Sequence, residues 1–65
     1  MPYVEIKAFE HRFIDDGVAQ RLIAAVTDAV AATLGEETRS KTWVVVEGVH
    51  PARWGFGGKV TAPHS

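Results

Sequence analysis

Read as apolar and polar positions, the chain changes period twice. Between Tyr3 and Phe9 it alternates, with Val4, Ile6 and Ala8 on one side and Tyr3, Glu5, Lys7 and Phe9 on the other. A period of two predicts a strand with one distinctly apolar face. Glu10 to Gly17 breaks the alternation and carries Asp15 and Asp16, both of which suit a helix N-cap and the positive end of the helix dipole. From about Val18 to Leu34 the spacing becomes helical: Val18, Leu22, Val26, Ala29, Val30 and Thr33 recur every three or four residues, widened by Ile23 and Leu34. Gly35 stands where a left-handed C-cap residue belongs. The run TWVVVEGV, residues 42–49, is short, almost continuously apolar and β-branched, which predicts a strand covered on both faces.

Strand, helix and strand within about 50 residues form a βαβ unit, whose crossover is right-handed and whose strands are parallel. Gly55, Gly57 and Gly58 predict tight turns or a small hairpin, and the tail TAPHS reads as frayed. The fold class is therefore α+β, one domain over residues 1–65, with no repeat or linker. Two strands and a helix do not close a core, so a partner must extend the sheet.

Length sharpens that conclusion. A chain of 65 residues buries only about 60% of the surface its unfolded form exposes, and such scaffolds need disulfides, a metal or assembly. There is no cysteine, and His11, His50 and His64 have no metal-ligand spacing. Self-association remains, and 46% hydrophobic residues supply material for it. The net charge of −1, with no basic run, excludes a nucleic-acid footprint. No charged segment leads into a long apolar stretch, so no signal peptide is expected. The apolar runs are shorter than a membrane span needs, and no membrane association is expected. These features together predict a cytoplasmic protein.

Chemistry concentrates at three places. Proline is tolerated as a strand's first residue, which is one account of Pro2. The other is that loss of Met1 leaves Pro2 as a secondary amine. An α-amino group has a pKa of about 7.7–8.0, lowered by apolar walls and nearby cations. A neutral amine is a competent general base, a role that contributes roughly 10²–10⁴-fold to a rate. Arg12 follows the first strand, where its planar fork suits a carboxylate; a solvated surface arginine is the plainer alternative there, as it is for Arg53. Trp54, in a glycine-rich loop, packs on a neighbouring subunit or on a ligand. GFGG follows an aromatic loop and opens no helix, so it is not read as a phosphate cradle.

Taken together, Met-Pro opening a strand, EHR at that strand's end, the amphipathic helix, a valine-rich strand ending at Glu47, and WGFGG resemble the tautomerase superfamily, specifically its short 4-oxalocrotonate tautomerase group. The likeness covers nearly the whole chain. It implies a βαβ subunit that dimerises into a four-stranded sheet, with the dimers gathered into a homohexamer and active sites between chains. It also implies a cofactor-free isomerase that binds no metal and acts on a small enol or 2-oxo acid. In that resemblance Pro2 is the general base, Arg12 the carboxylate-binding arginine and Trp54 the wall of the site.

The chain departs from that group at Thr42, where the resemblance places a second arginine. Arg39 or Lys41 is left to fill the space, and Arg39 is taken as a substrate-binding residue, with Arg53 a further alternative. His11 stands where the group has glycine, and the segment RFIDDGVAQR is about two residues longer. From His50 onward there is no Asp or Glu, which disfavours the water-activating hydratases and dehalogenases of the same superfamily. A non-catalytic or heteromeric subunit of a tautomerase-fold assembly, and a plain ligand-binding oligomer, are the competing functions.

Overall fold

The computed structural model describes residues 1–60; the TAPHS tail and His64 lie outside the described residues. Strand β1 spans Tyr3–Phe9, helix α1 Asp16–Leu34 and strand β2 Trp43–Val49, followed by short strands β3 (Gly55–Phe56) and β4 (Lys59–Val60). β1 and β2 pair in parallel, from Tyr3 opposite Trp43 to Phe9 opposite Val49. The expected βαβ unit and C-terminal hairpin are both present.

Local chemistry sets the boundaries of α1. Asp15 is its N-cap, accepting a hydrogen bond from the Val18 N–H at 3.2 Å, a contact of about 1 kcal/mol. At the other end the Gly35 N–H donates to the Ala31 carbonyl at 3.0 Å. Gly35 has φ 119° and ψ 144°, so its φ is positive as expected but its backbone is extended rather than left-handed helical. A short 3₁₀ segment, Glu36–Lys41, then leads into β2.

The helix lays one stripe on the sheet: Val18, Ala19, Leu22, Ile23, Val26, Thr27 and Val30 are half-buried and Ala31 is buried. Ala29, Thr33 and Leu34, expected on that stripe, are exposed. Val18, Leu22, Ile23, Val26 and Val30 are common to the predicted and the covered face, and Ala19, Thr27 and Ala31 widen it on one side. By length and composition α1 also meets the measure of a membrane-crossing helix, against the expectation from the apolar runs. Its packed stripe and its charged Asp16, Arg21 and Asp28 are features of a helix lying on a sheet.

The other face of the sheet is open. Val4, Ile6 and Ala8 of β1 and Val44 and Val46 of β2 are half-buried, whereas Tyr3, Trp43 and Val45 are 61%, 61% and 40% exposed. The expectation that β2 is covered on both faces is thus not met within one chain, because a single helix covers only one side. No large side chain is fully buried among the described residues. The Cα radius of gyration is 14.3 Å, against roughly 11 Å for a compact chain of this length.

Candidate active site

The candidate residues divide between the two ends of the parallel sheet. Pro2 stands at the start of β1, half-buried, and its carbonyl accepts a hydrogen bond from the Trp43 N–H at 2.9 Å. That bond begins the β1–β2 ladder and holds the residue against the entry of β2. With Met1 in place the Pro2 nitrogen is a tertiary amide without basicity; with Met1 removed it is a secondary amine.

Arg12 and Trp54 lie at the opposite end. β1 runs into a 3₁₀ turn, Glu10–Arg12, which leaves Arg12 exposed. That turn closes on β2 at Gly48: a Cβ there would come within 2.8 Å of the Glu10 Cα and 3.2 Å of the Phe13 ring. Glycine is needed at 48 because backbone, rather than a flexible side chain, occupies the space. β2 ends in a second 3₁₀ turn, Pro51–Arg53, capped by His50, whose Nδ1 accepts from the Ala52 N–H at 3.0 Å. Trp54 follows, half-buried, with its indole N–H donating to the Val49 carbonyl at 3.2 Å. Its ring lies 4.7 Å from that of Phe9, tilted by 58°, and Phe9 is stacked in turn on His11 at 5.9 Å. Phe9, expected on the open face with Tyr3, Glu5 and Lys7, is half-buried because Trp54 covers it.

Seven strand residues separate these ends, roughly 20 Å at the usual rise. One chain therefore does not bring Pro2 to Arg12 and Trp54, and a site holding all three takes them from different copies. Beyond Trp54 the chain turns back through Gly57 and Gly58, with φ of 62° and 84°. Positive φ at both central residues is what a two-residue hairpin turn of this hand requires. The arm so formed leaves Phe56 84% exposed.

Arg39 sits at the Pro2 end, on the 3₁₀ segment before β2. Its Nη1 donates to Asp28 Oδ1 and its Nε to Glu36 Oε1, each at 2.6 Å. Hydrogen bonding to Glu36 and Asp28 pushes the guanidinium pKa further above its ordinary range, and Arg39 lowers that of Glu36. A substrate carboxylate would have to compete with both partners. Thr42 offers no charge, and its hydroxyl donates to the Thr38 carbonyl at 2.8 Å. Lys41 is exposed and forms no ion pair among the described residues.

On the open face Lys7 donates to Glu47 Oε1 at 2.7 Å and lies 3.2 Å from Glu5 Oε2. The hydrogen bond from Lys7 holds the Glu47 carboxyl below the usual carboxylate range, with a smaller contribution from Arg53. Among the described residues no group of His, Asp and Glu is arranged to hold a metal ion. Sequence reasoning missed Phe9 and Gly48. A glycine inside a β-branched strand is itself a signal of close backbone approach, and Phe9 gave no signal beyond its place in the alternation.

A strand beginning at Pro2, a parallel βαβ unit and a terminal arm define a small α+β fold whose candidate residues are divided between the two ends of its sheet. The family model described as tautomerase enzyme matches residues 2–63, and the chain belongs to the tautomerase family. Its activity is accordingly of the tautomerase, proton-moving type. No match is found among curated proteins or solved structures.

Proposed function

We propose that the protein is a cofactor-independent tautomerase, of the 4-oxalocrotonate tautomerase type, acting on a small enol or unsaturated 2-oxo acid. Pro2, freed by removal of Met1, is its general base and acid. The neutral amine accepts the enol hydroxyl proton, the C–O bond becomes C=O as the C=C pair moves to carbon, and the ammonium returns the proton to that carbon. No redox change or co-reactant is involved. Arg12 of another copy holds the substrate carboxylate or the developing oxyanion, and Trp54 excludes water, which favours the neutral amine. Arg39 enters only by exchanging Asp28 or Glu36 for substrate.

The observation that carries this reading is the position of Pro2, half-buried where β1 begins, in a chain of the tautomerase family. The working form is a homo-oligomer, a hexamer built as a trimer of dimers, located in the cytoplasm. The exposed Tyr3, Trp43 and Val45 and the extended arm support assembly.

The test is ketonisation of an enol of a 2-oxo acid, followed by absorbance, with wild type and Pro2→Ala compared after intact mass has established that Met1 is absent. Pro2→Ala is expected to keep the oligomer and lose roughly 10²–10⁴-fold in turnover. Undiminished turnover would sink the mechanism. A non-catalytic subunit is the second reading, favoured by the absence of a charge at Thr42 and the engagement of Arg39. It predicts no turnover alone and stable assembly with an active homologue.

A further inference from the structure

The turn that delivers Trp54 is held by a titratable side chain. Proline has no N–H, so the first free donor of the Pro51–Arg53 turn is the Ala52 N–H, which donates to His50 Nδ1 at 3.0 Å. The turn then closes on itself: the Arg53 N–H donates to the His50 carbonyl at 2.9 Å and the Trp54 N–H to the Pro51 carbonyl at 3.2 Å. From there the Trp54 indole reaches the Val49 carbonyl and covers Phe9. A ring nitrogen that accepts from an N–H carries no proton, so the imidazole is neutral with its hydrogen on Nε2. A proton on Nδ1 turns that acceptor into a donor and sets N–H against N–H. His50 is exposed, so a proton reaches it without unfolding.

From this geometry we infer that His50 is a positioning residue for Trp54, holding the indole in place only while its own imidazole is neutral. Nothing local requires histidine there. The backbone at His50, φ −60° and ψ 139°, is the extended one that a residue before proline adopts, and Asn, Asp, Ser or Thr would accept the same bond. What histidine adds is an acceptor that protonation removes, in the one side chain that ordinarily changes charge between about pH 5 and 8. The charged and titratable groups on the elements around it are Glu47 on β2 with its partner Lys7 on β1, Arg53 in the same turn, Glu10, His11 and Arg12 in the turn packed on β2, and Lys59 on β4. None of them forms an ion pair with His50 among the described residues, so no carboxylate is placed to hold a protonated ring where it stands. The consequence for turnover rests on the role given to Trp54 in the proton-transfer reading above; the effect on the indole does not.

The experiment reads Trp54 emission in a Trp43→Phe parent, which leaves one tryptophan, at about pH 8 and about pH 5. His50→Asn and His50→Ala are measured beside it, after size exclusion has established the same assembly in each. The expected result is a red shift of the emission maximum at the lower pH in the parent and none in His50→Asn, whose amide oxygen accepts at both. His50→Ala should be red-shifted at both. Ketonisation of an enol at the higher pH should follow, with kcat/KM near the parent's in His50→Asn and about three- to tenfold lower in His50→Ala. A parent maximum that does not move, or one that moves equally in His50→Asn, overturns the inference. So does a His50→Ala maximum equal to the parent's at the higher pH. Should Trp43→Phe not assemble, the two indole N–H resonances of nitrogen-15-labelled protein carry the same comparison. One indole moving with pH in wild type and neither in His50→Asn supports the inference, and the same movement in both proteins ends it. If no enol is turned over, the proton-transfer reading fails, and the indole measurements still decide this inference alone.

Discussion

At the scale of single residues, the ionic groups are exposed and their effects are correspondingly small and dependent on pH and salt. Glu47 is held below its ordinary value of 4.5 by Lys7, and Lys7 is raised above 10.5 by Glu47 and Glu5. A depressed folded pKa means that the carboxylate's contribution is fully present above 4.5 and is lost as pH falls through the lower, folded value. For Lys7 the direction reverses: its contribution is present below 10.5 and is lost as pH rises through the raised value. Glu47→Gln is expected to change the melting temperature slightly at neutral pH and to make its decline below 4.5 shallower. Thermal unfolding followed by circular dichroism across the acid range measures both. An acid limb as steep as wild type would mean that the Lys7–Glu47 pair contributes nothing in solution.

At the scale of elements, the contact that positions Arg12 is backbone on backbone. The Glu10–Arg12 turn approaches β2 where Gly48 leaves room, and added atoms have no flexible neighbour to displace. Gly48→Ala is therefore expected to destabilise the fold by about 1–3 kcal/mol, the usual cost of forcing extra volume into a packed contact, and to move Arg12. Denaturant unfolding reads the first effect, and a raised KM for the substrate reads the second. A variant as stable as wild type would show that the turn yields easily. The helix behaves differently, since its start at Asp15 depends on a local hydrogen bond and its packed stripe on the sheet beneath it.

For the whole molecule, the deciding quantity is uncovered apolar area. Tyr3, Trp43 and Val45 share the face of the sheet that α1 does not reach, and Phe56 and Val60 stand exposed on the arm. Patches of that kind mark surfaces that bind another chain. The protein is expected to sediment as an assembly well above its 7.1 kDa chain mass. Val45→Asp, which places a charge at the centre of the open face, is expected to dissociate it. Activity should fall with dissociation, because Pro2 and Arg12 of one chain stand a strand's length apart. A variant that sediments as monomer and retains full turnover would refute a shared site.

Much of this molecule follows from the sequence by itself, because its signals are local. The alternation in Tyr3–Phe9, the aspartate before the helix and the paired glycines of the hairpin each act through dihedral angles and hydrogen bonds within a few residues. Residue type and place at strand ends singled out Pro2, Arg12 and Trp54, and the family resemblance supplied their roles. The length of β1 by itself sets Arg12 apart from Pro2. Only the tertiary structure decided what surrounds them, the parallel register carrying Trp54 to the Arg12 end. Long-range packing likewise brought Phe9 under Trp54, drew Arg39 to Asp28 across eleven residues and left one sheet face bare. Each depends on which surfaces meet in space.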